Sequence, residues 1–334
     1  FIDEVIEMAI VVPPPFQGGA GGGGRTVMHH IKNILALRKH HFDIGIVLSP
    51  GQLIKSAGYM FLAGIPMRIG GSYPYKGNPH AAKFLTHAID ELPNMHDIEQ
   101  NIRLLEPFGL GKIHAPYYSL QIPEKNLQEV ESLLSSTITP SRSPSYEGEK
   151  YRFIGIHAGC AVGFEWKRWP LERFAEVAIA LIQKNPTTRI LLFGGKDEAA
   201  DKQFMLTKIN EYFSPSDEGE HSASAEEGVV VAYDISASLL TTAAVMQKCS
   251  FFLSNDSGLM HIAAATGVPV LGLFGPTSEV LTGPRGSNSS VLRAQGTVPV
   301  YNTEKGNNLG NTSHESLLKI SVQMVLDKIA ETII

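Results

Sequence analysis

An α/β fold with parallel sheets, split into two domains, is what this 334-residue sequence predicts. Three observations carry that expectation. Short apolar, β-rich runs alternate with helical patterns along most of the chain. A stretch rich in Ser, Pro and Gly interrupts the alternation between Leu134 and Lys150. Finally, 43% hydrophobic and 18% charged residues give a globular composition with enough apolar side chain for a sizeable core.

In the first half, apolar residues at Val27, Ile31, Ile34, Leu35 and Leu37 mark a helix over 27–39, and Asp43-Ile44-Gly45-Ile46-Val47-Leu48 reads as a short buried strand. Further helices are expected near 52–62 and 97–105. Residues 1–134 form the first domain on this reading, 135–150 a linker and 151–334 the second domain. In the second half a strand over 152–157 precedes a helix over 171–184, a strand over 189–193 and a helix over 197–212. A polar insert, 214–228, reads as a surface loop. A strand over 229–231, a helix over 237–247, a strand over 250–254, a helix from Gly258 and a strand over 268–274 complete the pattern. Ligands in such sheets bind beyond the carboxyl ends of the strands, so the loops there are the candidate chemistry.

Composition narrows the function. A net charge of −5 argues against a general nucleic-acid binder. No apolar run approaches the ~20 residues of a membrane-spanning helix. Two cysteines, Cys160 and Cys249, make neither a disulfide framework nor a Cys-rich zinc site, and point to a reducing, cytoplasmic setting. The opening Phe1-Ile2-Asp3-Glu4-Val5-Ile6-Glu7 lacks the pattern of a secretory signal and reads like the middle of a domain, with sequence expected upstream.

Three loops stand out. In Ser254-Asn255-Asp256-Ser257-Gly258-Leu259-Met260-His261 a buried strand ends and a small-residue helix begins. Asp256 or Ser257 can cap that helix, Gly258 lets a ligand approach the backbone, and the free N–H groups make an anion site. A carboxylate in the same turn suits a ligand with hydroxyls beside its phosphates, and His261, one turn in, can donate to a phosphate oxygen. The plainer alternative is an N-cap beside a satisfied histidine. In the second loop, between His157 and Pro170, Lys167 and Arg168 precede a helix start and can neutralise a diphosphate; the alternative is a solvated basic pair beside a packed Trp169. The third, Gly272-Leu273-Phe274-Gly275-Pro276-Thr277, offers a tight turn with backbone donors and the Thr277 hydroxyl, or only a turn. Gly19-Ala20-Gly21-Gly22-Gly23-Gly24-Arg25-Thr26 imitates a phosphate loop, but Arg25 replaces the lysine such a loop needs, and it reads as a flexible loop.

Lys167-Arg168-Trp169-Pro170, Leu192-Phe193-Gly194-Gly195, Ser254 to Ala264 and Leu273-Phe274-Gly275-Pro276-Thr277, in that order, resemble the lipopolysaccharide heptosyltransferases of glycosyltransferase family 9. Phe1-Ile2-Asp3-Glu4-Val5-Ile6, Phe42 to Val47 and Ala63-Gly64-Ile65-Pro66-Met67-Arg68-Ile69-Gly70 resemble the family's N-terminal domain, and the tail Lys319-Ile320-Ser321 with its amphipathic helix fits the family as well. The resemblance implies a GT-B architecture, in which two Rossmann-like domains face across a cleft and the C-terminal one holds the donor. It implies metal-independent, inverting transfer of a heptose from ADP-heptose to the lipopolysaccharide inner core, without a cofactor. Lys167 would then bind the donor phosphates, and backbone around Ser257, Gly258 and Leu259 the diphosphate. Asp256 would contact the sugar and His261 a phosphate oxygen. Asp197 or Glu198 would hold the nucleoside, and Thr277 would add a donor contact. The family's first strand and its Gly-Asp loop, which carries the base for the acceptor hydroxyl, have no counterpart, so the base is expected upstream of Phe1. A lipid-linked acceptor implies peripheral contact with the inner face of the inner membrane. Two other functions fit the two-domain cleft: a nucleotide-sugar 2-epimerase, and a nucleotide-sugar binder without catalysis.

Overall fold

The computed structural model describes residues 23–48, 53–72, 81–110, 119–137, 151–214, 231–299 and 313–333. The chain divides into two compact units, Phe1–His114 and Ala115–Ile334, each treated by itself.

The first unit opens with helix α1 (Gly23–Lys39), strand β1 (Ile44–Val47) and helix α2 (Leu53–Ala63). Strands β2 (Met67–Ser72) and β3 (His87–Asp90) follow, then helix α3 (Asp97–Arg103). The three strands form a parallel sheet in the order β1-β2-β3. Val47, Met60, Ala63 and Ile65 make a small core with Leu37, Phe42 and Leu85 beside it. Helix α2 stops at Gly64, whose φ of +80° is open to glycine at little cost, and Pro66 prevents it from resuming. At α3, the His96 ring accepts the Ile98 N–H at 3.1 Å and so caps the helix.

The second unit begins with α4 (Glu124–Thr137) and continues β4 (Arg152–His157), α5 (Leu171–Lys184), β5 (Thr188–Phe193), α6 (Ala199–Tyr212) and β6 (Ala232–Ile235). Next come α7 (Leu239–Met246), β7 (Phe251–Asn255), α8 (Gly258–Ala265), β8 (Val270–Phe274), α9 (Glu279–Thr282), β9 (Ser289–Arg293), α10 (Glu315–Leu318) and α11 (Val322–Ile333). All six strands are parallel, in the order β6-β5-β4-β7-β8-β9. After β6 the chain returns to the other side of β4, so the winding direction reverses between β4 and β7. A crevice opens beyond the carboxyl ends of the strands at such a reversal.

The strands read as unbroken apolar runs because both faces are covered. Ile190, Leu192, Phe251, Leu253, Leu271 and Leu273 face one layer with Phe174, Val177 and Val325. Leu191, Phe193, Phe252, Val270 and Phe274 face the other, with Ala244, Val245, Met260 and Ala263. Gly155 on β4 is needed between two aromatic neighbours. A Cβ there would lie 2.4 Å from the Phe252 ring and 3.0 Å from that of Phe193.

Two expectations shift. Helix α4 packs on the second unit: Val130 joins its core, and Asn126 Nδ2 donates to Thr241 Oγ1 at 3.0 Å. The second unit therefore starts well before residue 151, and 135–137 end α4 rather than opening a linker; 138–150 lie outside the described residues. The strand expected at 229–231 runs instead over Ala232–Ile235. Asp234 hid it: a carboxylate inside a four-residue strand breaks the apolar run, yet here it pairs with Lys202 Nζ at 2.6 Å. Residues 19–22 of the stretch read as a flexible loop lie outside the described residues, and Gly23–Thr26 instead form the start of helix α1; most of the polar insert also lies outside the described residues.

Candidate functional site

The site grows from the register of β4 against β7. His157, the last residue of β4, stands beside Ser254 in the parallel ladder, at the carboxyl edge where the winding reverses. The loops that leave these two strands carry most of the residues singled out from the sequence.

At the end of β7, Asn255 is fully buried and knits the two loops. Its Oδ1 accepts the Trp169 N–H at 2.9 Å, and its Nδ2 donates to the Ala158 carbonyl at 2.7 Å. Burying an amide is tolerable only with partners such as these. Ser257 is the cap of α8: it is extended (φ −150°, ψ 164°), and its hydroxyl accepts the Met260 N–H at 3.3 Å. That settles the choice left open between Asp256 and Ser257. Gly258 is exposed, and a Cβ built on it meets nothing within 4 Å, so the first turn of α8 presents open backbone. His261 is half-buried one turn in.

Lys167 ends a short 3-10 turn, Glu165–Lys167, and meets Asp256 across the loops with Nζ 2.9 Å from Oδ2. The Asp256 side chain is 6% exposed and that of Lys167 18%, so screening by water is weak and the pair is well defined. The lysine also lies 5.5 Å from the centre of the Phe164 ring. Behind it, Trp169 packs edge-to-face on Phe174 and donates its indole N–H to the Ile320 carbonyl at 2.9 Å. The next cation, Arg168, turns aside to Asp201 (2.7 Å) and Cys160 Sγ (3.3 Å). Burial raises the Cys160 thiol pKa against the lowering effect of Arg168.

The loop after β5 separates the two acidic candidates. Asp197 is exposed; Glu198 is buried, its carboxylate turned inward to His157 Nε2 at 3.1 and 3.3 Å and to the Gly195 N–H at 2.8 Å. Burial alone would raise the Glu198 pKa. The hydrogen bonds from His157 and the Gly195 amide outweigh it and hold the carboxyl below its ordinary range. Thr277 is buried in a loop whose Gly275 and Thr277 carbonyls are both gripped by the Arg293 guanidinium, itself paired with Glu279 at 2.5 Å. Among the described residues no group of three His, Cys, Asp or Glu side chains is placed to hold a metal, and no helix is long and apolar enough to cross a membrane.

One edge of the sheet thus brings together Lys167, Asp256, Ser257, Gly258 and Leu259: a cation, a carboxylate and a helix start, in one place. The family model described as glycosyltransferase family 9 (heptosyltransferase) matches residues 31–312. This chain belongs to that family. As a family 9 glycosyltransferase it is 25% identical over 307 residues to lipopolysaccharide heptosyltransferase 2 of Escherichia coli strain K12, covering 88% of this chain and 76% of that protein. It is 32% identical over 183 residues to lipooligosaccharide heptosyltransferase 2 of Haemophilus influenzae, covering 53% of this chain and 46% of the relative. The solved structure of the Escherichia coli ADP-heptose lipopolysaccharide heptosyltransferase II superposes with a TM-score of 0.64 at 24% identity, over 92% of this chain and 81% of that one. A family 9 glycosyltransferase from Veillonella parvula follows at 0.62 and 23%. These likenesses establish the α/β fold as that of the GT-B heptosyltransferases.

What sequence reasoning missed is the interior of the site. His157 carried no assigned role, although a histidine closing a buried strand at the carboxyl edge is a signal that could have singled it out.

Proposed function

We propose that this family 9 enzyme transfers a heptose from ADP-heptose to the inner core of lipopolysaccharide, with inversion and without a metal. The observation that carries the reading is the meeting of Lys167 and Asp256 at the open first turn of α8. The backbone N–H groups of Gly258 and Leu259 are free of intrahelical partners, as first-turn donors are, and with the positive end of the helix dipole they suit a diphosphate. Lys167 supplies the cation. As the glycosidic bond to the diphosphate breaks, negative charge grows on the leaving ADP, and preorganised donors with one lysine stabilise it where no metal assists. Asp256 accepts from a hydroxyl of the heptose, His261 donates to a phosphate oxygen, and Thr277 contributes to the same cradle. Of the two acids after β5, the exposed Asp197 is the better placed to reach a nucleoside, because the Glu198 carboxylate is engaged inside. No residue of this sequence is assigned as the base for the acceptor hydroxyl.

The acceptor is lipid-linked on this reading, and the charge distribution suits contact with an anionic surface. Between Met8 and Ile89, Asp43 is the one carboxylate among Arg25, Lys32, Arg38, Lys39, Lys55, Arg68, Lys76 and Lys83, in a chain whose net charge is −5. A basic stretch of that kind favours peripheral contact with an anionic surface at the cytoplasmic side of the inner membrane.

The test is transfer from ADP-heptose to heptose-deficient lipopolysaccharide in the presence of EDTA, beside calorimetric titration with ADP, UDP and GDP. Selective ADP binding with heptose transfer, and an inverted anomeric centre in the product, supports the whole reading. Preference for UDP or GDP overturns the donor. Conversion of the nucleotide sugar without acceptor moves the enzyme to a 2-epimerase, and binding without turnover to a non-catalytic binder.

A further inference from the structure

We infer that His157 and Glu198 form one positioning unit that links the loop after β5 to the first turn of α8, so that the two halves of a nucleoside diphosphate are held cooperatively. The inference rests on the donor reading above and goes further, because it assigns the pair a task that neither contact with substrate nor simple packing would supply.

The geometry is a chain of hydrogen bonds across three loops. Glu198, 6% exposed, accepts from Gly195 N–H with Oε2 and faces His157 Nε2 with both oxygens. A carboxylate can only accept, so Nε2 carries the proton, and in the neutral ring Nδ1 is left as an acceptor. Facing Nδ1 is Ser257 Oγ at 2.9 Å, with Ser254 Oγ at 3.4 Å. The Ser257 hydroxyl therefore donates to His157, which directs its lone pair to the Met260 N–H. His157 itself is 3% exposed.

The packing leaves Glu198 one place to be. A Cβ on Gly159 would fall 1.6 Å from Glu198 Oε1, and one on Gly194 would fall 2.7 Å from Oε2. The carboxylate is thus walled in by glycines from the loops after β4 and β5. Two buried groups that served only to fill space would do as well or better as apolar side chains. Here the polar chain ends at the Met260 amide, next to the open first-turn amides of Gly258 and Leu259. A shift of the loop after β5, when a nucleoside settles on it, pulls on Glu198, and through His157 on the cap of α8. Other charges near the pair are the Arg168–Asp201 and Lys202–Asp234 ion pairs, each internally matched.

Two variants separate the links. Glu198→Gln removes the charge that fixes the imidazole tautomer. His157→Gln keeps a donor for Glu198 near the place of Nε2 and loses the contact at Nδ1. Hydrogen exchange of the unliganded protein reads the linkage without any ligand. We expect protection at the Met260 amide to fall by about tenfold in both variants, the scale of one lost hydrogen bond, while that of the α5 amides holds. Calorimetry with ADP then reads its use. Glu198→Gln and Ser257→Ala each weaken ADP, and the double variant is no weaker than the poorer single one. Unchanged Met260 protection, or ADP losses that multiply in the double variant, overturns the inference. If exchange responds as expected while the unaltered protein binds no ADP, the donor reading fails and the linkage stands. Should Glu198→Gln not fold, His157→Gln takes its place in both measurements, alone for exchange and combined with Ser257→Ala for calorimetry.

Discussion

Lys167 Nζ lies 2.9 Å from Asp256 Oδ2, joining the loop after β4 to the loop after β7 through a single ion pair. The two residues expected to handle opposite ends of one ligand thus hold each other when none is bound. On the proposed reading an incoming diphosphate would share the lysine and leave the carboxylate available to a sugar hydroxyl. Lys167→Ala is expected to weaken ADP by ~1.5–3 kcal/mol, the range of a charge-assisted contact. It also strands a buried carboxylate, so melting should fall. Lys167→Ala combined with Asp256→Asn should recover melting but not affinity. Calorimetry and thermal unfolding check the two halves, and unchanged ADP affinity removes Lys167 from the site.

Asp256→Asn keeps the shape of the turn and loses its charge. Because Ser257, not Asp256, caps α8, the helix start should survive. Affinity for bare ADP is expected to hold, while turnover or sugar selectivity drops by about tenfold or more, the weight of a hydrogen bond to a charged group. Equal losses for ADP and the full donor would make Asp256 a structural residue of the turn.

Gly159→Ala and Gly258→Ala make a matched pair. The first pushes a methyl into the Glu198 carboxylate, and overpacking of that kind costs ~1–3 kcal/mol. Its melting temperature should fall by several degrees. The second meets open space, so stability should stay within ~0.5 kcal/mol, yet its methyl sits where a diphosphate would approach. Thermal unfolding beside ADP titration distinguishes them; a stable Gly159→Ala protein would refute the tight packing.

Acid should destabilise the second unit through Glu198 and Glu279. Burial works to raise both carboxyls, but His157 in one case and Arg293 in the other hold them below the ordinary carboxylate range. A carboxyl lowered on folding stabilises fully above its unfolded value, and the gain is lost as pH falls through the lowered one. Urea unfolding from pH 7 down to pH 3 should show stability declining once the ordinary carboxylate range is passed. Arg293→Ala and Glu198→Gln should each flatten part of that decline. A slope identical to that of the unaltered protein would sink the assignment for that residue.

Much of the second unit was legible from the sequence because its strands are buried on both faces and its helices carry local start signals. Phe251 to Leu253 and Val270 to Phe274 are unbroken apolar runs, and the Asn-Asp-Ser-Gly turn announces the helix after it. The outer elements were harder. Strand β6 hides a carboxylate that finds Lys202, and β2, with Arg68, Gly70 and Gly71 among six residues, has little strand character of its own. Helix α4 was legible as neither helix nor part of the second unit, because its partner Thr241 is more than a hundred residues away. The ion pair of Lys167 and Asp256 was foreseen as two candidates but not as one contact. The His157–Glu198 pair was invisible for the same reason: nothing local marks residues 41 positions apart as neighbours.

The indole of Trp169 is tied to the Ile320 carbonyl, and Arg173 donates to the Leu318 and Ile320 carbonyls at 2.7 Å, while His314 N–H reaches the Trp166 carbonyl at 3.2 Å. During synthesis the chain emerges from its amino end, so the loop carrying Lys167 is translated some 150 residues before the carbonyl that steadies it. The sheet can form around β4, β5 and β7 while the ribosome is still at work, but the grip on Trp169 waits until Ile320 has cleared the exit tunnel. A nascent chain stalled short of that point would carry a folded core with an unbraced donor loop. The loop proposed to hold the nucleotide is thus braced late, after the scaffold that displays it.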